Sequence, residues 1–218
     1  MGNTLTIFDL DNTLIQGDSS TIWSQFMVRE GLATQKGYLA REARLMADYD
    51  RGEMNIADYV ALIQAPLAGI PKSDVDALVA RCVREAILPR VYPQAWELIR
   101  RLRAEGEQML IISASVSLLV QAVAAALEID QALGIDVEMV DGGYSGVIAG
   151  IPSYQQGKVA RLAQWREAHP QYDGEVTFYT DSINDLPLCL HADRVRLVNP
   201  CPQLQAAGAG YGWPVLSW

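Results

Sequence analysis

Four short apolar segments recur along the chain, and each is about as long as a β-strand. They run from Leu5 to Leu10, from Gln108 to Ile112, from Val176 to Tyr179 and from Val195 to Val198. Branched and aromatic residues are common in them, and segments with helical spacing separate them. Strands that alternate with helices form a parallel sheet that helices cover on both faces. The pattern therefore predicts an α/β fold with a parallel sheet.

The stretch from Gln16 to about Leu88 interrupts this alternation, because it contains several helical patterns and no strand pattern. Its first helix begins near Ser19, carries its apolar residues on one face and stops before Gly31. Asn55 and Ser73 are residue types that can cap two further helices. We therefore predict a helical insertion between the first and second strands.

A small hairpin is predicted in the second half of the chain. Asp141 and Gly142 lie between the segments VEMV and YSGVI, and an Asp-Gly pair between such segments favours a tight hairpin turn. Upstream of it, Pro93 and Gly106 stand at the expected start and end of one helix.

Composition excludes several classes of function. The chain has 218 residues, half of them hydrophobic, and a formal net charge of -9, so it can bury a sizeable core. An acidic chain lacks the basic surface of a typical nucleic-acid binder. No segment approaches the roughly 20 apolar residues that span a bilayer, and the first residues lack the pattern of a signal peptide. We expect neither a nucleic-acid partner nor a membrane partner.

The cysteines indicate a reducing compartment. The chain has three cysteines, Cys82, Cys189 and Cys201, so at least one thiol would remain outside any disulfide pairing within the chain. Their spacing is not that of a metal site, and a reduced state fits all three. We therefore expect a cytoplasmic protein.

An acidic cluster follows the first strand, where the sequence reads Asp9-Leu10-Asp11-Asn12-Thr13. Ligands of open α/β sheets bind at the carboxyl ends of the strands, so both carboxylates are candidates for chemistry. Asp9 can act as a nucleophile that forms an acyl phosphate, and Asp11 as a general acid and base. The same residue types also favour caps and turns, so this cluster alone leaves a structural role open.

A second acidic group, with Asp181 and Asp185, follows the strand that ends near Tyr179. It could be an ordinary helix start, but beside Asp9 and Asp11 it supplies the oxygen ligands that Mg²⁺ prefers. Four neighbouring acids also repel one another unless a cation neutralises them. With two histidines and no paired Cys/His motif, a zinc site is not expected.

Two further residues fit phosphate binding. Ser113 ends the second strand and precedes a helix, whose amides could bind phosphate together with the Ser113 hydroxyl. Lys158 opens another helix, and its ammonium can face the same site. Serines at strand ends and lysines at helix starts are common, so the order of all these residues along the predicted sheet carries the argument.

The ordered motifs FDLDNTL, ISAS, GK and DSINDLP resemble those of the haloacid dehalogenase superfamily, in its phosphatase branch. The resemblance implies a Rossmann-like core with an inserted α-helical cap. We accordingly predict a catalytic core of residues 1–15 and 89–218 and a cap of residues 16–88. The small hairpin belongs to the core in this division.

The resemblance also implies a role for each motif residue. Asp9 would be the nucleophile and a Mg²⁺ ligand, and Asp11 the acid and base, with its backbone carbonyl on the metal. The remaining expected roles are a loop support at Thr13, phosphate binding at Ser113 and Lys158, a Mg²⁺ ligand at Asp181, a support behind the ligands at Asp185, and a phosphate or substrate contact at Asn184. Ser182 departs from the pattern, because related phosphatases often have glycine there.

Within this superfamily, longer stretches of the sequence resemble the phosphoserine-phosphatase-like group. FDLDNTLIQGDS, PLAG and FYTDSINDLPL are most similar to bacterial histidinol-phosphatase-type members. Phosphoserine phosphatases usually carry Glu where this chain has Asp18, and this shorter acid could still meet a substrate amine. Candidate cap residues for substrate choice are Arg44, Tyr49, Arg51 and Glu53.

The sequence thus predicts a Mg²⁺-dependent phosphomonoester hydrolase that forms a phosphoaspartyl intermediate. Its expected partner is a small phosphorylated metabolite, an amino-alcohol phosphate, with L-histidinol phosphate or phosphoserine favoured. A phosphotransferase would share the same core. A signalling receiver or a non-catalytic, partner-binding protein is a further alternative, but the long helical insertion and the complete acid, serine and lysine set disfavour it.

Overall fold

The computed structural model describes residues 3–218, and the first two residues of the chain lie outside it. The strands within this range are β1 (Leu5–Phe8), β2 (Gln108–Val116), β3 (Gln131–Ile135), β4 (Val137–Val140), β5 (Gly143–Ile148), β6 (Val176–Thr180), β7 (Arg194–Val198) and β8 (Val215–Leu216). The α-helices are α1 (Ser19–Arg29), α2 (Tyr38–Asp50), α3 (Ile56–Gln64), α4 (Lys72–Cys82), α5 (Pro93–Ala104), α6 (Ser117–Ala126), α7 (Gln156–Ala168), α8 (Leu186–His191) and α9 (Pro202–Ala209). None of the described helices has the length and apolar character that crossing a membrane requires.

Six strands form one parallel sheet in the order β3-β2-β1-β6-β7-β8. Strand β1 lies in the interior of the sheet, where Leu5 pairs with Gln108 of β2 on one side and with Val176 of β6 on the other. Each connection between paired parallel strands contains at least one helix, as parallel pairing requires. The predicted α/β fold with a parallel sheet is confirmed.

Strands β4 and β5 form a separate antiparallel hairpin. Asp141 and Gly142 both have positive φ, 51° and 80°, which is the conformation of the tight turn that an Asp-Gly pair favours. The predicted hairpin is therefore confirmed.

Helices α1 to α4 follow β1 and precede β2, so the predicted helical insertion is present. The chain enters it at Ile15 and leaves it near Val91, and these two residues form an antiparallel bridge. Beside this bridge, the Gln16 amide donates to the Arg90 carbonyl oxygen at 2.8 Å. The two crossings thus run side by side. We call residues 16–88 the cap, and its exact border stays a prediction.

Hydrophobic side chains fill both faces of the sheet. Adjacent residues of a strand point to opposite faces, so Ile7 packs into one cluster and Phe8 into the other. The Phe8 cluster also contains Trp23 and Phe26 of α1, which shows that the cap packs on the same apolar mass as the sheet. Burying each such side chain contributes about 1.5 to 3 kcal/mol, so these contacts hold the cap against the core.

Two local predictions are wrong. Helix α4 begins at Lys72, directly after Pro71, and so Ser73 lies inside the helix rather than at its cap. A proline just before or at the first helical residue suits the fixed proline φ. Ser113 does not precede a helix, because β2 continues to Val116 and α6 begins at Ser117.

Candidate active site

The predicted site residues meet at the carboxyl edge of the sheet. Asp9 directly follows β1 and Asp181 directly follows β6, while Ser113 lies in the last half of β2. These three strands are neighbours, with β1 between the other two. Lys158, in the first turn of α7, reaches the same place from outside the sheet.

Lys158 is fully buried and bridges two carboxylates. Its Nζ atom lies 2.8 Å from Oδ1 of Asp9 and 2.6 Å from Oδ1 of Asp185. The Thr180 hydroxyl donates to the other oxygen of Asp185 at 2.6 Å. Asp185 is thereby held by the Thr180 hydroxyl and by its ion pair with Lys158, which also pairs with Asp9.

Burial and mutual repulsion shift the pKa values in this cluster. Burial raises the pKa of Asp9 to about 7. The positive charge of Lys158 opposes this rise, and the negative charges of Asp185 and Asp11 add to it. Burial also raises the pKa of Asp181 well above its usual range, and the charges of Asp9 and Asp185 add to the effect. Burial alone disfavours the Lys158 ammonium, but Asp185 and Asp9 outweigh it and raise the lysine pKa.

This donor set fits a divalent cation by its chemistry. Asp9 and Asp185 share a single buried ammonium, and Asp181 lies close enough to both acids for their charges to raise its pKa, so the cluster carries more negative than positive charge. Carboxylate oxygens are hard ligands of the kind that Mg²⁺ prefers, and Mg²⁺ usually keeps several waters. Across residues 3–218, no three acidic, histidine or cysteine side chains are already gathered around one cation position. The predicted ligands need only two side chains, Asp9 and Asp181, with the Asp11 carbonyl.

Thr13 supports the loop after β1. Its hydroxyl donates to Oδ1 of Asp181 at 3.2 Å, and so joins the loop to the second acidic group. Asn12 closes the same loop, because its side-chain oxygen accepts from the Gly17 amide at 3.1 Å. Asn12 has φ of 54°, a conformation that asparagine tolerates better than most residues. The loop is therefore held at both ends.

Asp11 is oriented by donors from both the cap and the core. Its Oδ1 accepts from the Ser19 amide at 2.6 Å, and its Oδ2 accepts from the Ser115 hydroxyl at 2.8 Å. The Ser113 hydroxyl lies farther away, at 3.4 Å from Oδ2, and also accepts from the Ser115 amide at 3.1 Å. Burial raises the pKa of Asp11, although these hydrogen bonds oppose the rise.

Ser115 is a site residue that the sequence reasoning missed. It is almost fully buried, and its hydroxyl lies 3.0 Å from those of Ser19 and Ser20 besides contacting Asp11. A signal was present, because residues two apart on a strand lie on one face. The sequence prediction ends the strand at Ser113, whereas β2 continues to Val116 and carries both serines.

Asp18 has a structural role beside its predicted one. Its Oδ1 accepts from the Thr21 amide at 2.8 Å and so caps α1. Burial raises the pKa of Asp18 well above its usual range, with the charges of Asp11 and Glu42 adding to the effect. The structure thus places Asp18 on the cap side of Asp11.

A cavity of about 20 Å³ separates Asp11 from the cap. Its lining residues are Asp11, Asp18, Met46, Tyr49, Met54, Tyr59, Ala114 and Ser115. This volume accommodates about one water molecule. In this structure the cavity is therefore too small for a substrate larger than water.

Asn184 contacts the cap instead of the carboxylates. Its Nδ2 donates to the Tyr49 carbonyl oxygen at 2.7 Å, and its Oδ1 accepts from Gln155 at 3.1 Å and from the Tyr154 hydroxyl at 3.3 Å. The Asn184 amide also donates to the Ser182 hydroxyl at 3.2 Å. Ser182, the position that departs from the expected pattern, is thus accommodated as the cap of a short turn.

Of the four cap residues considered for substrate choice, only Tyr49 reaches the site. Burial raises the pKa of its hydroxyl well above the usual value, and the nearby charges of Asp185, Asp9 and Asp181 raise it further. The other three, Arg44, Arg51 and Glu53, are exposed. Arg51 pairs with Asp48 and Glu53 on the cap surface.

Comparison with known proteins shows which family the sequence matches. The sequence pattern of the haloacid dehalogenase-like hydrolases matches residues 6–189. A curated relative, the histidinol-phosphatase of Neisseria meningitidis serogroup C, is 34% identical over 98% of both chains.

Solved structures share the fold. A Bordetella pertussis protein of unknown function superimposes with a TM-score of 0.89 at 31% identity, over 99% of each chain. A substrate-bound phosphoserine phosphatase superimposes with a TM-score of 0.68 at 16% identity, over 94% of this chain and 90% of that one. The chain therefore belongs to the haloacid dehalogenase-like hydrolases, a family in which its relatives include named phosphatases.

Proposed function

We propose that this protein hydrolyses a small phosphomonoester through a phosphoaspartyl intermediate on Asp9. The observation that carries the proposal is the buried bridge of Lys158 between Asp9 and Asp185, at 2.8 Å and 2.6 Å. An ammonium held against a carboxylate at the carboxyl edge of the sheet can neutralise a phosphoryl group as that carboxylate attacks it. Phosphoryl transfer depends mainly on such positioning and charge neutralisation.

In the first step, an oxygen of Asp9 attacks phosphorus and the bond from phosphorus to the ester oxygen breaks. Asp11 gives its proton to the departing alkoxide, so the alcohol leaves neutral. Lys158 and the Ser113 hydroxyl hold the non-bridging oxygens. The hydrogen bonds from Ser19 and Ser115 keep the Asp11 carboxyl turned toward the cap side, where the leaving group lies.

In the second step, Asp11 takes a proton from water, and the water oxygen attacks phosphorus. The bond between phosphorus and Asp9 breaks, which restores the carboxylate and releases inorganic phosphate. When Mg²⁺ is bound, it supplies positive charge that neutralises the phosphoryl oxygens. Asp9, Asp181 and the Asp11 carbonyl would hold it, and Asp185 would support them from behind.

The proposed substrate is an amino-alcohol phosphate, with L-histidinol phosphate favoured over phosphoserine. Similarity to the Neisseria histidinol-phosphatase over nearly the whole chain supports this choice. The Asp18 carboxylate lies beside Asp11 at the cavity, where it can pair with a cationic group of the alcohol. The aromatic rings of Tyr49 and Tyr59 line the same cavity and suit a flat, positively charged group.

We also propose that the cap of residues 16–88 closes over a core of residues 1–15 and 89–218. We place the enzyme in the cytoplasm, because all three of its cysteines are free. Cap closure would exclude bulk water during the first step, since the closed cavity has room for about one water molecule.

Phosphate release from a panel of esters tests the reaction and the substrate. The panel contains L-histidinol phosphate, phosphoserine and a simple sugar phosphate, each with Mg²⁺ and with a chelator. We expect release that depends on Mg²⁺ and prefers L-histidinol phosphate. Release of no phosphate from any ester would refute the proposal, and transfer to an added alcohol in place of water would identify a phosphotransferase.

Asp9→Asn tests the nucleophile, because it keeps the shape of the side chain and removes its charge. We expect no measurable phosphate release and an unchanged circular dichroism spectrum. Asp141→Asn is the matched control, since Asp141 lies exposed in the hairpin turn and should retain full activity. Full activity of Asp9→Asn would show that another group attacks phosphorus.

A further inference from the structure

A cluster of amide groups connects the cap to the core at one point beside the site. Gln155, at the end of the loop before α7, donates from Nε2 to the Gly52 carbonyl oxygen of the cap at 3.0 Å. The same nitrogen lies 3.1 Å from Oδ1 of Asn184. Asn184 donates to the Tyr49 carbonyl oxygen, also in the cap, at 2.7 Å. Two core side chains thus bind two cap carbonyls and each other.

The two cap carbonyls lie at the C-terminal end of α2. The Tyr49 carbonyl oxygen also accepts from the Gly52 amide at 2.9 Å, so Asn184 is a second donor to it. Tyr49 is in the last turn of α2 and Gly52 lies just beyond it. This end of the helix carries partial negative charge, so amide donors suit it. The last turn of α2 contains no basic residue, and Gln155 and Asn184 supply the donors from the core.

The backbone at Gln155 is held in an unusual conformation. Its φ is 48° and its ψ is -122°, outside the regions that non-glycine residues normally adopt. The turn that contains it is tight, because a Cβ atom at Gly157 would lie 1.9 Å from the Pro152 carbonyl oxygen. Such strained residues concentrate at functional sites, where the surroundings enforce them. At Gln155, the residue with this unusual backbone conformation is also the one whose side chain donates to the Gly52 carbonyl oxygen of the cap.

The cap loop is shaped to meet these amides. Gly52 has φ of +74°, and a Cβ atom there would lie 3.3 Å from Oδ1 of Asn184 and 3.5 Å from Nε2 of Gln155. The rings of Tyr49 and Tyr154 pack across the same junction, with their centroids 5.8 Å apart. The close approach at Gly52 therefore depends on the absence of a side chain.

We propose that Gln155 and Asn184 form a latch that holds the cap closed, with Tyr49 over the carboxylate cluster. In this proposal, Gln155 is a positioning residue that sets the balance between open and closed cap and touches no reacting atom. The latch itself is a property of the fold, whereas its effect on catalysis rests on the proposed phosphatase function.

Oxidation of Met54 by hydrogen peroxide reports cap opening without any substrate. Met54 lines the cavity between the cap and Asp11 and is 7% exposed, so opening the cap exposes its sulfur. Met27, on α1, is 0% exposed within the apolar cluster and serves as the internal control for global unfolding. Peptide mass spectrometry measures the rate of sulfoxide formation at each methionine in the full chain.

The variants come in two matched pairs. Gln155→Ala removes the amide and is compared with Gln156→Ala, which truncates the exposed neighbour. Gly52→Ala inserts a Cβ against the latch and is compared with Gly37→Ala, which has nearly the same φ of +76° but nothing within 4 Å of its Cβ. Both members of the second pair carry the same backbone strain.

We expect Met54 to oxidise about tenfold faster in Gln155→Ala and Gly52→Ala, as the loss of two hydrogen bonds implies. In the control variants its rate should match the wild type, and Met27 should remain protected throughout. A Met54 rate that is equal in Gln155→Ala and Gln156→Ala would overturn the latch. So would an equal acceleration of Met54 and Met27, because it indicates general loosening. Phosphate release is assayed separately, so a failed activity assay leaves the oxidation result decisive for the latch.

Discussion

Replacement of Lys158 by Met tests whether the buried bridge holds the core together. Lys158 is fully buried, and its ammonium is the partner of both Asp9 and Asp185. Methionine keeps the length of the side chain but leaves two carboxylates buried without their cation. Breaking a buried ion pair by removing one partner typically costs about 3 to 5 kcal/mol, so we expect a loss of that size in the free energy of unfolding.

The assay is urea unfolding in the presence of a chelator, so that no metal replaces the missing ammonium. Lys72→Met is the matched control, because Lys72 pairs with Asp76 at a similar distance of 2.6 Å but on the surface, with half of its side chain exposed. Surface pairs at this helical spacing contribute about 0.5 kcal/mol or less. Equal losses in the two variants would refute the reasoning that burial makes the bridge important.

Asp185→Asn provides a second test of the same argument. Its effect on the free energy of unfolding should have opposite signs in the wild type and in the Lys158→Met variant. In the wild type it removes the ion pair with Lys158, and we expect the free energy of unfolding to fall by about 3 kcal/mol. In the Lys158→Met background it removes an unpaired buried charge, and we expect it to stabilise the protein. An effect of the same sign in both backgrounds would contradict the proposed pairing.

Two further predictions concern the supports of the site. Gly157→Ala places a Cβ atom 1.9 Å from the Pro152 carbonyl oxygen, so we expect it to lower the melting temperature. The control is Gly210→Ala, whose Cβ atom would lie 3.7 Å from its nearest neighbour and should lower the melting temperature far less. Equal melting temperatures in the two variants would contradict this. Ser115→Ala removes the hydroxyl that donates to Asp11 at 2.8 Å, and we expect the kcat for phosphate release to fall about tenfold. An unchanged kcat would show that the other donors suffice to orient Asp11.

Much of the fold could be predicted because local patterns and spacing agree with it. The apolar run that ends at Asp9 is a central strand, and such strands are buried on both faces and read as continuous apolar segments. Asn55 caps α3 through hydrogen bonds to two amides, as its residue type favours. In these places the local preference and the tertiary structure require the same conformation.

Strand β3 was missed because its residues have weak strand preference. It reads QALGI, and it pairs at the edge of the sheet with β2. Gly134 within it allows close packing, since a Cβ atom there would lie 2.7 Å from the Ser117 Cα atom. A glycine in this position indicates close backbone contact, and that contact exists only once the sheet has formed. The strand β8 has two residues and gave no pattern at all.

The site was only partly predictable for a related reason. Acids, serine and lysine can be found by residue type and order, and these are the residues that approach one another at the sheet edge. Gln155 has an ordinary side chain, and its importance follows from a positive φ and from the position of the cap loop, neither of which the sequence displays. The sequence predicts a phosphate or substrate contact for Asn184, whereas in the structure its side chain donates to the Tyr49 carbonyl oxygen.

The position of β1 in the sheet has a consequence for the order of events during synthesis. Asp9 is synthesised before Lys158, which follows it 149 residues later, and Asp181 lies 168 residues after Thr13. At about 5 to 20 residues per second, β1 and the adjoining Asp9 wait roughly 7 to 30 s for the buried counter-charge of Lys158. During that time β2 can already pair with one edge of β1, but the edge that later pairs with β6 stays exposed, which invites aggregation or chaperone binding. Assembly of the cluster of Asp9, Lys158 and Asp185 is thus among the last events of folding, and a nascent chain that stops before α7 has the Asp9 carboxylate but no lysine to pair with it.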